Sequence, residues 1–233
     1  ELYMKKVGFI GAYDKTDLLV NIAKVLTEMK NKVLIIDTTI NQKAKYIVPA
    51  INPTVSYITS FEDIDIAVGF NNTEEIKEYI GVTKELPYDI LLIDVDMPQK
   101  IEQFQLENAE KNYFVTSFDV YSLKKGLEIL SNINTTMELT KILFSKEMLK
   151  EEDDYLNFLA LGYKVIWNDE RIYFPIENGD LSVIYENQRV QKIKFKRLSV
   201  QYKDSMGFIV QQILNQSNDS YVRRVIKGIE RGV

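Results

Sequence analysis

K-K-V-G-F-I-G-A-Y-D-K-T-D, residues 5–17, is the stretch whose reading decides the fold. Lys5–Gly11 is a short buried strand ending in glycine, and the polar loop after it leads into a helical pattern from Lys15 to about Lys30. There Leu18, Leu19, Ile22, Ala23, Leu26 and Met29 recur at the spacing of one helix face. Val33–Asp37 (V-L-I-I-D) follows as an uninterrupted apolar run closed by an acid, the pattern of a parallel strand covered on both faces. Strand, helix and strand make one βαβ unit.

The alternation continues outward. Tyr88–Asp94, Asn112–Phe118 and Lys141–Ser145 have the same buried-strand character, and Val120–Leu130 is helical between two of them. Thr73–Ile80 is a short helix with Thr73 as its N-cap. Asn41–Ile66 is expected to be irregular, with Pro49 and Pro53 breaking any long helix. Tyr163–Trp167 and Arg171–Pro175 add one more strand, Asp180–Gln188 a short helix and Ser199–Asn215 a long amphipathic one. The polar stretch from Gln216 to Ser220 is a hinge or cap before a last helix. Such alternation predicts an α/β fold: one domain, with a mostly parallel, doubly wound sheet flanked by helices and its ligand site at the C-terminal strand edges. The boundaries drawn are 4–215 for the α/β domain and 216–233 for a basic amphipathic helix, with Glu1–Tyr3 preceding a candidate initiator Met4.

Composition narrows the chemistry. With 233 residues, 45% hydrophobic and 27% charged, the chain can bury a full core and lacks the signature of disorder. No apolar run approaches the roughly 20 residues of a bilayer crossing, and the expected location is cytoplasmic. The absence of cysteine and histidine excludes disulfides, thiolate nucleophiles, Ser-His-Asp triads and imidazole metal sites. Acid–base work is left to carboxylates, Lys, Tyr or a bound ligand, and any metal to oxygen ligands, which favours magnesium. The net charge of −5 is uneven. Asn187–Lys203 holds six bases and no acid, and Tyr221–Val233 four bases against Glu230, so the remainder carries −14. That asymmetry points to an acidic partner at the C-terminal end.

Lys15 and Thr16 stand where a phosphate loop, GxxxxGK(S/T), keeps its lysine and hydroxyl. Such a loop cradles phosphates with backbone N–H groups, neutralises them with the lysine and binds magnesium through the hydroxyl. Here Asp14 replaces the glycine before the lysine, and Phe9 the first glycine. The order of motifs resembles the ParA/MinD family of deviant-Walker ATPases, whose loop runs approximately G-K-G-G-x-G-K-T-T before a helix with N-x-A-x-x-L. Asn21, Ala23 and Leu26 match that helix, Lys32–Asp37 the second strand, and Tyr88–Asp94 the strand with the metal-side acid. The resemblance covers about residues 5–215. It implies a P-loop NTPase-like fold, a nucleotide site of Gly11, Lys15, Thr16, Asp37 and Asp94, and magnesium on Thr16 and Asp94. The departures are concentrated in the same place. The bridging lysine of the family falls at Ile10, the second threonine at Asp17, the acid two residues after Asp37 at Thr39, and the proline position after Asp94 at Asp96. Phosphoryl transfer depends on positioning and charge neutralisation, so the expectation is a degenerate member with no cofactor or only weak Mg-ATP.

Val222, Val225, Ile226, Ile229 and Val233 form one helical stripe, with Arg223, Arg224, Lys227 and Arg231 opposite. In MinD-like members a helix of this character lies in the membrane interface, which implies peripheral contact at the inner face of the membrane. Docking on the chain's own domain or on a second subunit is the plainer and preferred expectation. In K-I-K-F-K, strand spacing puts Lys192, Lys194 and Lys196 on one exposed face, with Arg197 beside them and Ile193 and Phe195 inward. That face suits phosphate contact with DNA or lipid, and equally an edge strand guarded by lysines. The functional expectation is a localisation or assembly scaffold or regulator with a protein partner, similar to degenerate members that position pilus or secretion machinery. A homodimer is implied by resemblance alone. The alternative is an active ParA-type ATPase binding non-specific DNA in partitioning or transfer.

Overall fold

The computed structural model describes residues 4–49, 55–147, 150–216 and 219–232. Chain order begins β1 (Lys5–Ile10), α1 (Thr16–Glu28), β2 (Val33–Asp37), α2 (Ala44–Ile47), β3 (Tyr57–Phe61) and β4 (Ile64–Val68). It continues with α3 (Thr73–Ile80), β5 (Ile90–Val95), α4 (Pro98–Gln103), β6 (Lys111–Ser117), α5 (Val120–Ser131) and β7 (Met137–Ser145). Last come α6 (Lys150–Leu159), β8 (Val165–Pro175), α7 (Asn178–Val190), α8 (Val200–Leu214) and α9 (Asp219–Arg231). The strands form one sheet in the order β3-β4-β2-β5-β1-β6-β7-β8. Every pairing is parallel except β3 with β4.

Side-chain alternation along each strand feeds two cores. Val7 and Phe9 of β1 join Ile35, Leu92 and Tyr113 beneath α1, α8 and α9. Ile10 joins Leu34, Ile36, Leu91 and Ile93 on the opposite face, under Ile76 of α3, Ile101 of α4, Leu127 of α5 and Leu156 of α6. Helix starts are capped locally: Asn72, Asp119 and Ser199 accept from the backbone N–H groups of Glu75, Ser122 and Tyr202. The N-cap of α3 is thus Asn72, and Thr73 is the first helical residue, not the cap.

Two further expectations are corrected. Residues 41–66 are not irregular throughout: Tyr57–Phe61 and Ile64–Val68 form a hairpin that supplies the antiparallel edge. Its two-residue turn puts Glu62 and Asp63 at φ of 48° and 65°, the conformation of a type I′ turn usually marked by Asn or Gly. Pro53 lies outside the described residues. Lys192–Lys196 is not a strand; the edges of the sheet are β3 and β8. The burial alternation survives without a ladder, with Ile193 and Phe195 buried and the three lysines exposed. The segments around Trp167 and Ile172 form one strand, as expected, and its pairing with β7 slips between Leu139 and Lys141.

The apolar stripe of α9 is spent on the domain itself. Val222 and Ile226 are buried and Val225 and Ile229 pack against the same core; Val233 lies outside the described residues. Gly207 of α8 lets the helices approach, since a methyl group there would sit 3.2 Å from Ile226 Cδ1. Among the described residues no helix is long and apolar enough to cross a membrane.

Candidate functional site

Parallel registry brings the chemistry to one edge. Asp94 of β5 is level with Phe9 of β1 on one side and with Asp37 of β2 on the other. The chain runs from β1 to β2 on one side and later returns to place β6 on the other, so the crevice beside β1 is the topological switch point where doubly wound folds bind ligands. A cavity of about 230 Å³ opens there, lined among others by Tyr13, Asp14, Lys15, Thr16, Lys43 and Asp96. Gly11, Lys15, Thr16, Asp37 and Asp94 lie together at this edge. Lys192, Lys194, Lys196 and Arg197 lie on the segment between α7 and α8, and Arg223, Arg224 and Lys227 on α9.

The groups gathered at this edge largely satisfy one another. Lys15 Nζ donates to the Gly11 carbonyl at 2.6 Å and lies 2.8 Å from Asp94 Oδ1, both side chains 2% exposed. The ion pair is off the hydrogen-bonding angle, for Asp94 Oδ1 accepts no hydrogen bond. Burial outweighs the attraction of Lys15 and, with Asp37 nearby, raises the Asp94 carboxyl to about 7. Asp37 is fully engaged: Oδ1 accepts from the N–H and hydroxyl of Thr39, at 3.0 and 2.6 Å, and Oδ2 from Ala44 N–H at 3.0 Å. It shapes the turn into α2. Asp96 accepts from Ile40 N–H at 3.1 Å. Gly11, at φ 147°, has no room for a side chain because a Cβ would lie 2.1 Å from the Val115 carbonyl oxygen.

Asp14 turns back on the start of α1. Its Oδ1 accepts from Thr16 N–H at 3.1 Å and its Oδ2 pairs with Lys43. The Asp14 side chain is about half exposed; partial desolvation works against its charge, yet the hydrogen bond and charge of Lys43 bring its carboxyl below the ordinary value. Lys43 also reaches Asp17 at 3.4 Å, and Gln188 of α7 donates to both Asp17 oxygens at 2.9 Å. Burial raises the Asp17 carboxyl. Lys43 and Gln188 were invisible to sequence reasoning: one sits in a stretch without periodicity, the other 171 residues from its partner. Asn21 ties α1 to α8 by donating to Tyr202 Oη at 3.2 Å.

No protein-family model matches the sequence, and no curated protein does. Solved structures do match, over nearly the whole chain. The ParA family ATPase from Chlorobium tepidum TLS is 13% identical over 92% of this chain and 99% of its own, with a TM-score of 0.60. The MinD cell division protein of Aquifex aeolicus is 16% identical over 92% and 98%, with a TM-score of 0.58. An McdA variant of Cyanothece, solved in complex with ATP, is 13% identical over 92% and 98%, with a TM-score of 0.55. The chain has the ParA/MinD fold.

Within that ParA/MinD fold, the residues present do not fit a nucleoside triphosphate with magnesium. A carboxylate, Asp14, occupies the start of α1, where a phosphate would need N–H donors and positive charge. Both nearby ammonium groups, Lys15 and Lys43, are paired with aspartates. Both Asp37 oxygens are already hydrogen-bonded to the turn into α2.

Proposed function

We propose that this chain is a degenerate ParA/MinD-like protein without efficient ATP hydrolysis, serving as a localisation or assembly scaffold or regulator. The observation that carries the reading is the internal neutralisation of the phosphate loop: Lys15 by Asp94, and Lys43 by Asp14 and Asp17. A loop whose cations are already paired and whose helix start already holds a carboxylate offers a polyanion little net attraction. What remains is a rigid sheet whose strand ends carry exposed apolar side chains. Ile40 follows β2, Tyr46 lies on α2, Val120 and Tyr121 open α5, and Tyr185 lies on α7. They offer a protein partner, or a second copy, apolar surface beside the closed site.

Calorimetric titration of Mg-ATP and Mg-ADP into the full chain tests this, alongside phosphate release. We expect no micromolar binding and no turnover above background. Magnesium-dependent turnover that Lys15→Ala abolishes would overturn it. One observation favours the alternative of an active DNA-binding ATPase: Lys192, Lys194 and Lys196 are exposed and make no ion pair among the described residues. That alternative requires ATP-stimulated, salt-sensitive retardation of non-specific duplex.

A further inference from the structure

We infer that Asp14 sets the ligand specificity of this loop: its carboxylate is a built-in occupant of an oligophosphate position, with Lys15, Lys43 and the start of α1 standing around it. The inference rests on the reading that the natural chain does not use nucleotide, and it goes beyond it by naming the residue responsible.

Three observations combine. First, the Asp14 carboxylate makes the two contacts a phosphate oxygen would make there, accepting the backbone N–H of Thr16 at 3.1 Å and pairing with the ammonium of Lys43. Lys43 comes from a different part of the chain, 29 residues on, so this is more than a local turn. Second, a separate cation stands ready behind it. Lys15 lies on the same cavity and is held by Gly11 and Tyr13 carbonyl oxygens and by Asp94. Third, Asp94, almost wholly buried, lines that cavity with Oδ1 accepting no hydrogen bond. A buried carboxylate oxygen in an ion pair off the hydrogen-bonding angle is a weak hold on Lys15, which a stronger anion in the cavity can win. Burying Thr16 at the start of a 13-residue helix leaves the N–H end of α1 facing the same space.

The parts of a phosphate cradle therefore remain: a helix N-terminus, a loop lysine, a second lysine and room. Of the carboxylates on the cavity, Asp14, Asp94 and Asp96, Asp14 is the one that occupies both the Thr16 N–H and the Lys43 ammonium. Without it Lys43 keeps only its longer contact with Asp17, and the Thr16 N–H faces the cavity. Asn at this position retains an acceptor for Thr16 N–H while removing the charge, and Gly removes both.

The experiment is calorimetry of sodium tripolyphosphate, without metal, into the full chain as wild type, Asp14→Gly, Asp14→Asn and Asp14→Gly/Lys15→Ala. Thermal unfolding establishes that each variant is folded. We expect no detectable binding to wild type, a gain of about tenfold or more in Asp14→Gly, a smaller gain in Asp14→Asn, and loss of the gain in the double variant. If Asp14→Gly fails to fold, the Asn variant decides. The inference is overturned if neither folded variant binds more tightly than wild type, or if the gain survives Lys15→Ala and so arises elsewhere. Inert wild type with inert variants sinks this inference alone. Magnesium-ATP turnover by wild type sinks the reading on which it rests.

Discussion

Two lysine–aspartate pairs are buried among the described residues, and they are built differently. At the strand ends, Lys15 and Asp94, both 2% exposed, approach to 2.8 Å, yet Asp94 Oδ1 accepts no hydrogen bond and the pair borders a cavity. In the body of the sheet, Lys141 and Asp153, 3% and 1% exposed, approach to 2.6 Å with a hydrogen bond. Lys141 also donates to Asn157 and lies 4.8 Å over the Trp167 ring, while Arg171 reaches Asp153 at 3.1 Å. Burial, helped by the charge of Arg171, pushes the Lys141 ammonium down from its ordinary value, with Asp153 opposing. The second pair is cross-linking between β7, α6 and β8. Each pair leaves one buried carboxylate oxygen without a hydrogen bond, Asp94 Oδ1 and Asp153 Oδ2, so it is the cavity beside the first pair, and neither burial nor the unbonded oxygen, that marks a site.

The largest expected effect breaks the structural pair. Lys141→Met leaves Asp153 buried beside only Arg171, which is more than 40% exposed, and should cost roughly 3–5 kcal/mol in urea unfolding. Lys15→Met should cost less, about 1–3 kcal/mol. The reason is that Asp94, already raised to about 7, takes up a proton at neutral pH once its cation is gone. Equal losses would erase the distinction drawn between the two pairs.

A smaller effect sharpens the comparison through pH. Asp94 has a folded value of about 7 against roughly 4 in an unfolded chain, so between those pH values the folded state holds more protons. Stability from this group therefore falls as pH rises from about 4 to about 7, by at most about 1.4 kcal/mol per unit, and the cost is complete above 7. Asp94→Asn removes that slope. Urea titrations of wild type and variant at pH 5 and 8 should diverge; parallel profiles would show that Asp94 does not carry it.

Much of the architecture was legible because buried parallel strands are continuous apolar runs. Val33–Asp37 and the run through Ile90–Asp94 announced themselves, and with the helix at Leu18–Leu26 they fixed the βαβ order. The β3–β4 hairpin was not legible, because its turn uses Glu62 and Asp63 in a conformation that Asn or Gly usually signals. Nor was α6, whose first turn is acidic and whose buried residues are only Asp153 and Leu156. At the site, Asp14 was legible as a departure that puts a charge in the phosphate position. Its partner was not, because Lys43 arrives from a loop that no local pattern orders. The same applies to Gln188, which a helix more than 170 residues away delivers to Asp17.

The smallest expected effect concerns charge that is not buried at all. Lys192, Lys194 and Lys196 are exposed, whereas their neighbours are committed: Arg197 to Glu186, Lys203 to Glu230, and Arg223 to Asp219 and Asp204. Replacing the three lysines together with Gln should change unfolding free energy by no more than about 0.5 kcal/mol. Ile193 and Phe195 hold the segment down, so the lysines are retained by the fold without supporting it. A stability loss above 1 kcal/mol would mean the segment is pinned by these cations. An unchanged protein makes the same variant the clean control for DNA retardation. Any binding it loses is then phosphate contact and not misfolding.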